Sequence, residues 1–431
     1  MPPFRFVHPD VPDWRWRLLA EVNAQFDAVV YLNNNGITYP NDPFPNRLYA
    51  GAKRVISFTG QHDLQTLSDF HAQHRCHLAG YVGYDLKNQL EALQSRHPNP
   101  LGFPDIWFFE PRYVVDFGTD GVIVQTDEPD AGPFDRWLTD PASLPDVPEH
   151  TPTAGTVVRA RVGQADYEAA VRQVRALIEA GDVYELNLCI EFFAERLHLD
   201  PVSAYRALCR RSPMPFSTFV RQAGRYVLGA SPERFLKRTG LRLLSQPIKG
   251  TIRRGQSPAE DEALRQQLRH SEKEQAENLM IVDLVRNDLA RSAQTGTVRV
   301  DELFGIYSFQ AVHQMISTVS AQVRPDVSLA DLLGHAFPMG SMTGAPKIRV
   351  MQRIDELEAS RRGVYSGAIG CVTPDGDFDF NVVIRSLLYN TEAQLASYTV
   401  GSAITYDADP AQEYAECLLK GQAMRAILEE R

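Results

Sequence analysis

The sequence predicts an α+β fold with largely antiparallel sheets, because predicted hairpins alternate with predicted helices instead of following a strict βαβ succession. Two tight turns, Thr239-Gly240 and Pro374-Asp375-Gly376, each join two apolar runs in the manner of a β-hairpin. Elsewhere, apolar residues recur with helical spacing after residues that cap helices well. These observations favour α+β over a parallel α/β sheet.

The chain divides into three predicted regions. Short strand-like runs at 28–32 and 112–115, separated by turn clusters, make 1–128 an N-terminal sheet-rich region. Six prolines among Asp, Gly and Thr residues mark 129–157 as a Pro-rich linker or surface excursion. The remaining region, 158–431, has the clearest helix and strand signals.

Helices and strands of this last region follow from local signals. A helix is predicted from Tyr167 to near Gly181, and two more follow Ser257 and Ser271, whose hydroxyls can cap them. A closing helix is predicted over 410–430. Strands are predicted at 184–193, 226–230, 234–238, 241–245, 365–372, 378–389 and 396–405.

The composition of the 431 residues is typical of a soluble globular protein, with 44% hydrophobic and 23% charged residues. The apolar runs fall short of the ~18 residues of a membrane span, and prolines and an Asp interrupt the start where a signal peptide is apolar. We therefore expect a cytoplasmic protein that does not bind membranes.

Charge and cysteine content exclude further classes. A net charge of −10 without a long basic cluster argues against nucleic-acid binding. The five cysteines form no C-x-x-C pair, so neither a disulfide framework nor a zinc site is indicated. We expect reduced cysteines in the core.

Two acidic pairs lie at helical spacing. Glu274 and Glu277 project from one helix face, and Glu413 and Glu416 share a face with Lys420 on the closing helix. Four carboxylates on two helices suit Mg²⁺, with waters and a substrate oxygen completing its octahedron. Solvated acidic faces, and a capping role for Glu274, explain the same pattern, so spacing leaves both interpretations open.

Lys249 and Glu233 are candidates for catalysis. Lys249 lies in a turn bounded by Pro and Gly after an apolar strand, and it could act as a nucleophile if its pKa were lowered. At the usual pKa of about 10.4, only about one lysine in a thousand is neutral near pH 7. Glu233 at a strand end could be a general acid or base. Both residue types are more often solvated, so each hypothesis needs further support.

Three segments could bind anions. Ser341 lies in a run of small and hydroxyl-bearing residues whose backbone N–H groups suit a carboxylate or phosphate. Arg385 lies inside a predicted apolar strand, where its guanidinium needs either a bound carboxylate or an internal salt bridge. Gly401, Ser402 and Ala403 follow a strand and could offer N–H groups to a second carboxylate, or could serve only tight packing.

Together these segments resemble the motifs of the chorismate-utilising enzymes, the family that includes the anthranilate, aminodeoxychorismate, isochorismate and salicylate synthases. The resemblance covers about residues 165–431 and, more weakly, the N-terminal part. It implies large, mostly antiparallel sheets packed as a sandwich with helices outside, and makes 158–431 the chorismate-binding catalytic region. In family order, the matching segments are SPERF, PIKGT, AENLMIVDLVRNDLAR, FPMGSMTGAPK, VYSGAIG and DADPAQEYAECLLKG.

The resemblance also implies roles for individual residues. Glu277 and Glu416 match magnesium ligands, while Glu274 and Glu413 match residues that order the water molecules of the metal. Glu233 matches the acid/base near the departing ring hydroxyl. The implied substrate-binding residues are Gly250, Thr251, Ser341, Tyr365, Arg385, Gly401, Ser402, Ala403 and Lys420, with Tyr365 and Arg385 on the enolpyruvyl carboxylate.

Lys249 points to one branch of the family. The aminodeoxychorismate enzymes have this lysine, which is proposed to add covalently at C2 of the ring, whereas the anthranilate enzymes have a small residue there. The isochorismate and salicylate enzymes place a water-activating lysine where this chain has Glu185. The family's histidine position is occupied by Gln314, with His313 one residue early, so no acid–base role is assigned to that histidine.

The implied activity is Mg²⁺-dependent amination of chorismate at C4 by ammonia, for the synthesis of para-aminobenzoate and folate. The alternatives are an anthranilate synthase component I and a non-catalytic chorismate-binding regulatory subunit. None of the five cysteines has the Gly-rich context of a glutaminase nucleophile, and the chain ends soon after Lys420. We therefore expect a separate glutamine amidotransferase subunit as the partner, in a heterodimer.

Overall fold

The computed structural model describes residues 3–60, 64–310 and 312–429. Every strand pairing within these residues is antiparallel. This confirms the predicted α+β class with antiparallel sheets.

The bounds of the elements are as follows. The strands are β1 (Phe4–Phe6), β2 (Ala28–Asn33), β3 (Arg47–Phe58), β4 (Leu78–Val82), β5 (Ile106–Phe117), β6 (Val122–Gln125), β7 (Arg159–Ala160), β8 (Glu185–Glu195), β9 (Phe216–Gln222), β10 (Arg225–Ser231), β11 (Arg234–Thr239), β12 (Arg242–Gln246), β13 (Ile248–Arg253), β14 (Arg299–Ser308), β15 (Val312–Gln322), β16 (Gly344–Ala345), β17 (Ala368–Val372), β18 (Phe378–Asn381), β19 (Ser386–Asn390) and β20 (Leu395–Ile404). The helices are α1 (Trp14–Gln25), α2 (Leu64–His74), α3 (Lys87–Leu90), α4 (Pro133–Thr139), α5 (Gln164–Glu179), α6 (Pro201–Arg211), α7 (Pro258–Arg269), α8 (Glu272–Ala290), α9 (Leu329–Ala336), α10 (Lys347–Leu357) and α11 (Pro410–Leu428).

Two sheets share the long strands β3 and β5. The first runs β1-β6-β5-β3-β2-β9-β10-β19-β20-β8, with β7 and β16 also paired to β8. The second runs from β5 through β4-β17-β18-β11-β12-β15, with β13 and β14 also paired to β15. Because β5 pairs with β4 along one half and with β6 along the other, it carries the chain from one sheet to the other.

The core consists of three apolar clusters. One cluster is built from strand and loop residues of both sheets, such as Val30, Trp107, Phe216, Val227 and Ile369, and fills the space between them. A second joins the first sheet to α1, α5, α6 and α11, and a third joins the second sheet to α2, α8 and α9. The implied sandwich of two sheets with helices outside is therefore confirmed.

Most of the predicted elements form, and the exceptions have a physical reason. The predicted strand over 378–389 is wrong as a single element, because β18 pairs with the second sheet whereas β19 pairs with the first. The chain changes sheets between them, and Arg385 there has a left-handed φ of 49°. Arg385 therefore lies between two strands and not inside one. The strand predicted over 365–372 begins only at Ala368, so Tyr365 lies in the segment before it.

The division into three regions stays a prediction. Strands of the region 1–128 pair directly with later ones, as β2 does with β9 and β4 with β17. Within 129–157, α4 buries Phe134, Trp137 and Leu138 in the cluster beside the first sheet. The segment thus contributes apolar side chains to the core despite its proline content.

Two further sequence expectations meet the structure here. All five cysteines are free, and four of them are buried while Cys76 is half-buried. None of the described helices combines the length and the hydropathy that a membrane span requires.

A fully buried ion pair anchors the start of β11. Arg234 is 0% exposed, and its guanidinium donates two hydrogen bonds of 2.9 Å to Asp379 in β18. It also lies over the Phe216 ring, with 4.8 Å between Cζ and the ring centroid. Because Glu233 directly precedes Arg234, this pair fixes the backbone that carries a candidate catalytic carboxylate.

We expect Asp379→Ala to lower the free energy of unfolding by about 3–5 kcal/mol, because it leaves the buried Arg234 charge without its partner. Urea denaturation followed by circular dichroism measures this loss. The matched control is Asp283→Ala, which breaks an exposed ion pair with Arg286 and should cost less than about 1 kcal/mol. Equal losses in the two variants would contradict the prediction.

Candidate active site

Glu233 lies where the chain passes from β10 to β11 and is almost fully buried. Ser341, in the 3₁₀ turn Gly340–Met342, donates a hydrogen bond of 2.8 Å to Glu233 Oε1. Burial raises the pKa of Glu233 to about 7, although Ser341 and the charge of Lys249 oppose this shift. A carboxyl group with this pKa can donate a proton near neutral pH.

Lys249 lies in β13 and contacts an acidic residue of β8. Its Nζ donates to Glu185 Oε1 at 2.8 Å, and the side chains of Lys249 and Glu185 are 12% and 1% exposed. Burial acts to lower the pKa of Lys249, but the charges of Glu185, Glu277 and Glu233 outweigh it and the pKa is raised. The lowered pKa that a free nucleophile requires is therefore not found, and Lys249 is held as an ammonium group.

Glu185 is a site residue that the analysis of motifs did not include among the candidates. Its second oxygen, Oε2, is buried without a hydrogen-bond partner among the described residues. The signal in the sequence was weak, since Glu185 opens a strand that also contains Asn187 and Glu191. Only its contact with Lys249 shows that the two charges belong together.

Asn278 ties the lysine strand to α8. Its Nδ2 donates to the Lys249 carbonyl at 3.3 Å and to the Met315 carbonyl at 3.4 Å, and its Oδ1 accepts a 2.5 Å hydrogen bond from Ser317. Because Asn278 follows Glu277, this contact holds the acidic face of α8 beside Lys249. Spacing could not identify this residue, since its role depends on carbonyls from two distant strands.

The helix carboxylates of α8 and α11 interact through their charges. Burial raises the pKa of Glu274, and the negative charge of Glu416 adds to this shift. Burial also raises the pKa of Glu277 to about 7, with Glu274 adding repulsion. Glu413 has a raised pKa through burial, and Ser402 opposes it.

Glu416 differs from the other three carboxylates. Burial acts to raise its pKa, but the ammonium of Lys420, 2.6 Å away, outweighs burial and the pKa is lowered. Lys420 Nζ also donates to the Gly401 carbonyl at 3.0 Å. Lys420 thus links α11 to the end of β20.

The carboxylates can be tested for fit to a metal. Within the described residues, no three His, Cys, Asp or Glu side chains are close enough to form a metal cage. Mg²⁺ is often held by only one or two carboxylates, with waters and substrate oxygens completing its shell. The donors here are all carboxylate oxygens. Burial, with the negative charge of Glu274, raises the pKa of Glu277, so a cation bound beside it would favour its ionised form. The two helix faces therefore fit Mg²⁺ held by few protein ligands.

Arg385 offers an unpaired positive charge. Burial lowers the pKa of its guanidinium, and no carboxylate in the part of the chain that the structure describes forms an ion pair with it. The internal salt bridge that the sequence left open is thus not formed there. Arg385 is half-buried, whereas Tyr365 is buried, with its hydroxyl 3.7 Å from Cys189 Sγ. A half-buried guanidinium without an internal partner is suited to bind the carboxylate of a ligand.

The end of β20 presents free backbone donors. Gly401 and Ala403 lie opposite Cys189 and Asn187 of β8. Neither of these β8 residues donates its N–H group to β20. The Cys189 N–H donates to Glu358 Oε1 at 2.9 Å, and the Asn187 N–H donates to the Thr343 carbonyl at 2.8 Å. Opposed residues in an antiparallel ladder exchange both hydrogen bonds or neither. The N–H groups of Gly401 and Ala403 therefore point away from β8.

The remaining predicted residues have different surroundings. Ser402 is buried, with its Oγ 3.1 Å from the Tyr167 hydroxyl. Gly250 has φ +94°, and a Cβ there would lie 3.1 Å from Glu274 Oε2. Thr251 is exposed and lies opposite Gln314 in the ladder with β15. The structure therefore brings Gly250, but not the Thr251 side chain, close to the carboxylates.

His313 and Gln314 have different contacts in β15. His313 is buried, with Nδ1 2.8 Å from Ser308 Oγ and Nε2 3.1 Å from Asp261 Oδ1. Gln314 is buried with its Oε1 lacking a hydrogen-bond partner in the described part of the chain. Both ring nitrogens of His313 thus contact Ser308 and Asp261, which do not belong to the carboxylates of α8 and α11.

Comparisons with known proteins agree with this arrangement. The family of chorismate binding enzymes matches residues 23–426. Aminodeoxychorismate synthase component 1 of Klebsiella aerogenes is 39% identical over 344 residues, which are 78% of this chain and 74% of that protein. Aminodeoxychorismate synthase of Streptomyces griseus is 40% identical over 364 residues, or 81% of this chain and 50% of that protein. This chain thus spans about half the length of the Streptomyces relative.

A solved structure has the same architecture. Anthranilate synthase component I from Streptococcus pneumoniae TIGR4 is 26% identical, with a TM-score of 0.78 over 98% of this chain and 100% of that chain. The antiparallel sandwich is thus common to the two chains. The chain belongs to the chorismate binding enzymes.

Proposed function

We propose that this chain aminates chorismate at C4 with ammonia and forms 4-amino-4-deoxychorismate, the precursor of para-aminobenzoate. The observation that carries the proposal is the largely buried Lys249 amino group among the carboxylates of Glu185, Glu233 and Glu277. Relatives that are 39% and 40% identical and named aminodeoxychorismate synthases support it.

The substrate is a dianion, and the site offers two separate anchors for its carboxylates. Arg385 and Tyr365 would hold the enolpyruvyl carboxylate, because the guanidinium is half-buried and forms no ion pair within the described residues. The outward N–H groups of Gly401 and Ala403 would hold the ring carboxylate. Two anchors fix the ring so that C2 and C4 face defined side chains.

Glu277 and Glu416 would hold Mg²⁺, with Glu274 and Glu413 binding its waters. When bound, the ion would supply positive charge that offsets the negative charge of the substrate carboxylate in this acidic site. The chain's own residues carry the proton transfers. Glu233 protonates the departing C4 hydroxyl, Lys249 adds at C2, and ammonia then enters at C4 as the lysine leaves.

The product decides between the alternatives. Chorismate, Mg²⁺ and ammonium should give a C4-aminated product, identified by mass spectrometry after chromatography. Fluorescent anthranilate as the main product would favour an anthranilate synthase. A wild-type chain that binds chorismate without turnover would instead be a regulatory subunit.

We expect kcat/KM to fall above about pH 7, because Glu233 must carry a proton to donate and its pKa is about 7. Each further pH unit then reduces the protonated fraction about tenfold. Glu233→Gln should lose about 10²-fold or more in rate and lose this alkaline limb. Ser341→Ala should move the limb to higher pH, since the Ser341 hydrogen bond lowers the pKa of Glu233. An unchanged limb in Glu233→Gln would contradict the assignment.

We expect the 431-residue chain to use ammonium but not glutamine unless a separate glutamine amidotransferase subunit is added. A glutaminase needs a reactive thiolate, whereas burial raises the pKa of every cysteine here: Cys76, Cys189, Cys209, Cys371 and Cys417. Assays of the purified chain with either nitrogen source measure this. Glutamate release from glutamine by the chain alone would overturn the expectation.

A further inference from the structure

The contact between Glu185 and Lys249 raises a chemical question. An amine attacks carbon only when it is neutral, yet Lys249 lies among three carboxylates that favour its ammonium form. The facing charges come from Glu185 of β8, Glu277 of α8 and Glu233 of the β10–β11 connection. A group that accepts one proton from Nζ is therefore needed before the lysine can react.

The geometry singles out one acceptor. Glu185 Oε1 is 2.8 Å from Lys249 Nζ, and it is the one side-chain oxygen of the described residues in hydrogen-bond contact with that nitrogen. Glu233 is engaged by Ser341 and is assigned to the departing hydroxyl. Glu277 acts on the lysine through its charge, without a hydrogen bond to Nζ.

Glu185 has no competing hydrogen-bond donor among the described residues. Its side chain is 1% exposed, and its Oε2 is buried with no hydrogen-bond partner in the described part of the chain. The Lys249 ammonium is therefore the one side-chain donor that its carboxylate contacts there.

We propose that Glu185 is the proton acceptor that converts the Lys249 ammonium group into the neutral nucleophile. This role rests on the proposed amination of chorismate. It also gives a function to a buried acidic residue at the point where β8 meets Lys249.

The step balances as follows. One proton moves from Lys249 Nζ to Glu185, which leaves a neutral amine and a neutral acid. The amine lone pair forms the bond from Nζ to C2, the C1=C2 and C5=C6 π electrons shift to C1=C6 and C4=C5, and the C4–O bond breaks. The leaving oxygen departs as water with the proton of Glu233. The product of the step is a secondary ammonium at Lys249, with Glu185 protonated and Glu233 ionised.

Glu185→Gln tests the role, because the amide oxygen can still accept the Lys249 hydrogen bond but cannot take its proton. We expect kcat at pH 7 to fall about 10²-fold, with KM for chorismate within about threefold of the wild type. The deficit relative to the wild type at the same pH should then shrink as pH rises, since solvent must now deprotonate the lysine. Glu185→Asp keeps an acceptor and should lose less rate than Glu185→Gln at pH 7.

Glu191→Gln is the matched control, because Glu191 is a buried acid of the same strand that pairs with Arg161 at 2.9 Å. It should keep wild-type kcat and pH dependence. The proposal is overturned if Glu185→Gln keeps the wild-type rate, if its loss is the same at every pH, or if Glu185→Asp is no better. A wild-type chain that forms no C4-aminated product would instead overturn the proposed function, and this role with it.

Discussion

Lys249→Ala should lose C4 amination by a factor on the order of 10³ or more, because the nucleophile that occupies C2 is gone. With C2 open, ammonia can attack there, so the residual product should include aminodeoxyisochorismate or anthranilate. Chromatography with mass detection of the products from chorismate, Mg²⁺ and ammonium measures both effects.

Two variants make this result specific. Lys249→Arg keeps the positive charge beside Glu185 but cannot form the C2 adduct, so it should be as inactive in C4 amination as Lys249→Ala. Lys237→Ala removes a partly buried lysine of β11 that donates to the Asn41 carbonyl, and it should keep the wild-type product. Near-normal C4 amination by Lys249→Arg would show that the lysine only balances charge.

Glu277→Ala should reduce the rate of Mg²⁺-dependent turnover about 10²-fold or more, without unfolding the protein. Glu416→Ala should have the same effect, since the two residues are the proposed ligands. Glu272→Ala, an exposed acid in the first turn of α8, is the control and should keep its rate. Full activity of the wild type in excess chelator would refute the metal requirement.

The same variant has an expected effect on stability. The pKa of Glu277 is raised from 4.5 to about 7 in the folded chain, so the folded state binds its proton more tightly than the unfolded state. Without metal, this residue therefore costs stability as pH rises from about 4.5 to about 7. Glu277→Ala should melt at the same or a higher temperature than the metal-free wild type at pH 8, and this difference should vanish below pH 4.5. A lower melting temperature at pH 8 would indicate a structural role.

Local signals in the sequence were sufficient for much of the fold. Ser257 and Ser271 do accept hydrogen bonds from the N–H groups of Glu260 and Glu274, so α7 and α8 start where capping predicts. The hairpin turn before β18 also forms as the Pro374-Asp375-Gly376 sequence indicates, with Gly376 at φ +86°. Such features depend on a few neighbouring residues, and their signals therefore survive in a single sequence.

The change of sheet between β18 and β19 was not predictable in this way. Eight of the twelve residues 378–389 are apolar, and nothing local indicates that the chain leaves one sheet for the other. Strand partners far away in the chain decide it, because β11 and β17 hold one part while β10 and β20 hold the other. This break is what leaves Arg385 without an ion-pair partner among the described residues.

The sequence by itself identified the side chains that are proposed to carry the chemistry: a lysine, a glutamate at a strand end and two acidic helix faces. Residue type and spacing made them candidates, and the family resemblance gave them roles. Only the tertiary structure decided their ionisation and their partners. Lys249 meets Glu185 across 64 positions of chain. Burial acts to lower the pKa of this lysine, but three carboxylates outweigh burial and raise it, whereas a free nucleophile requires a lower pKa. Electrostatic energies depend on distance and desolvation in space, and neither quantity is written in the order of the residues.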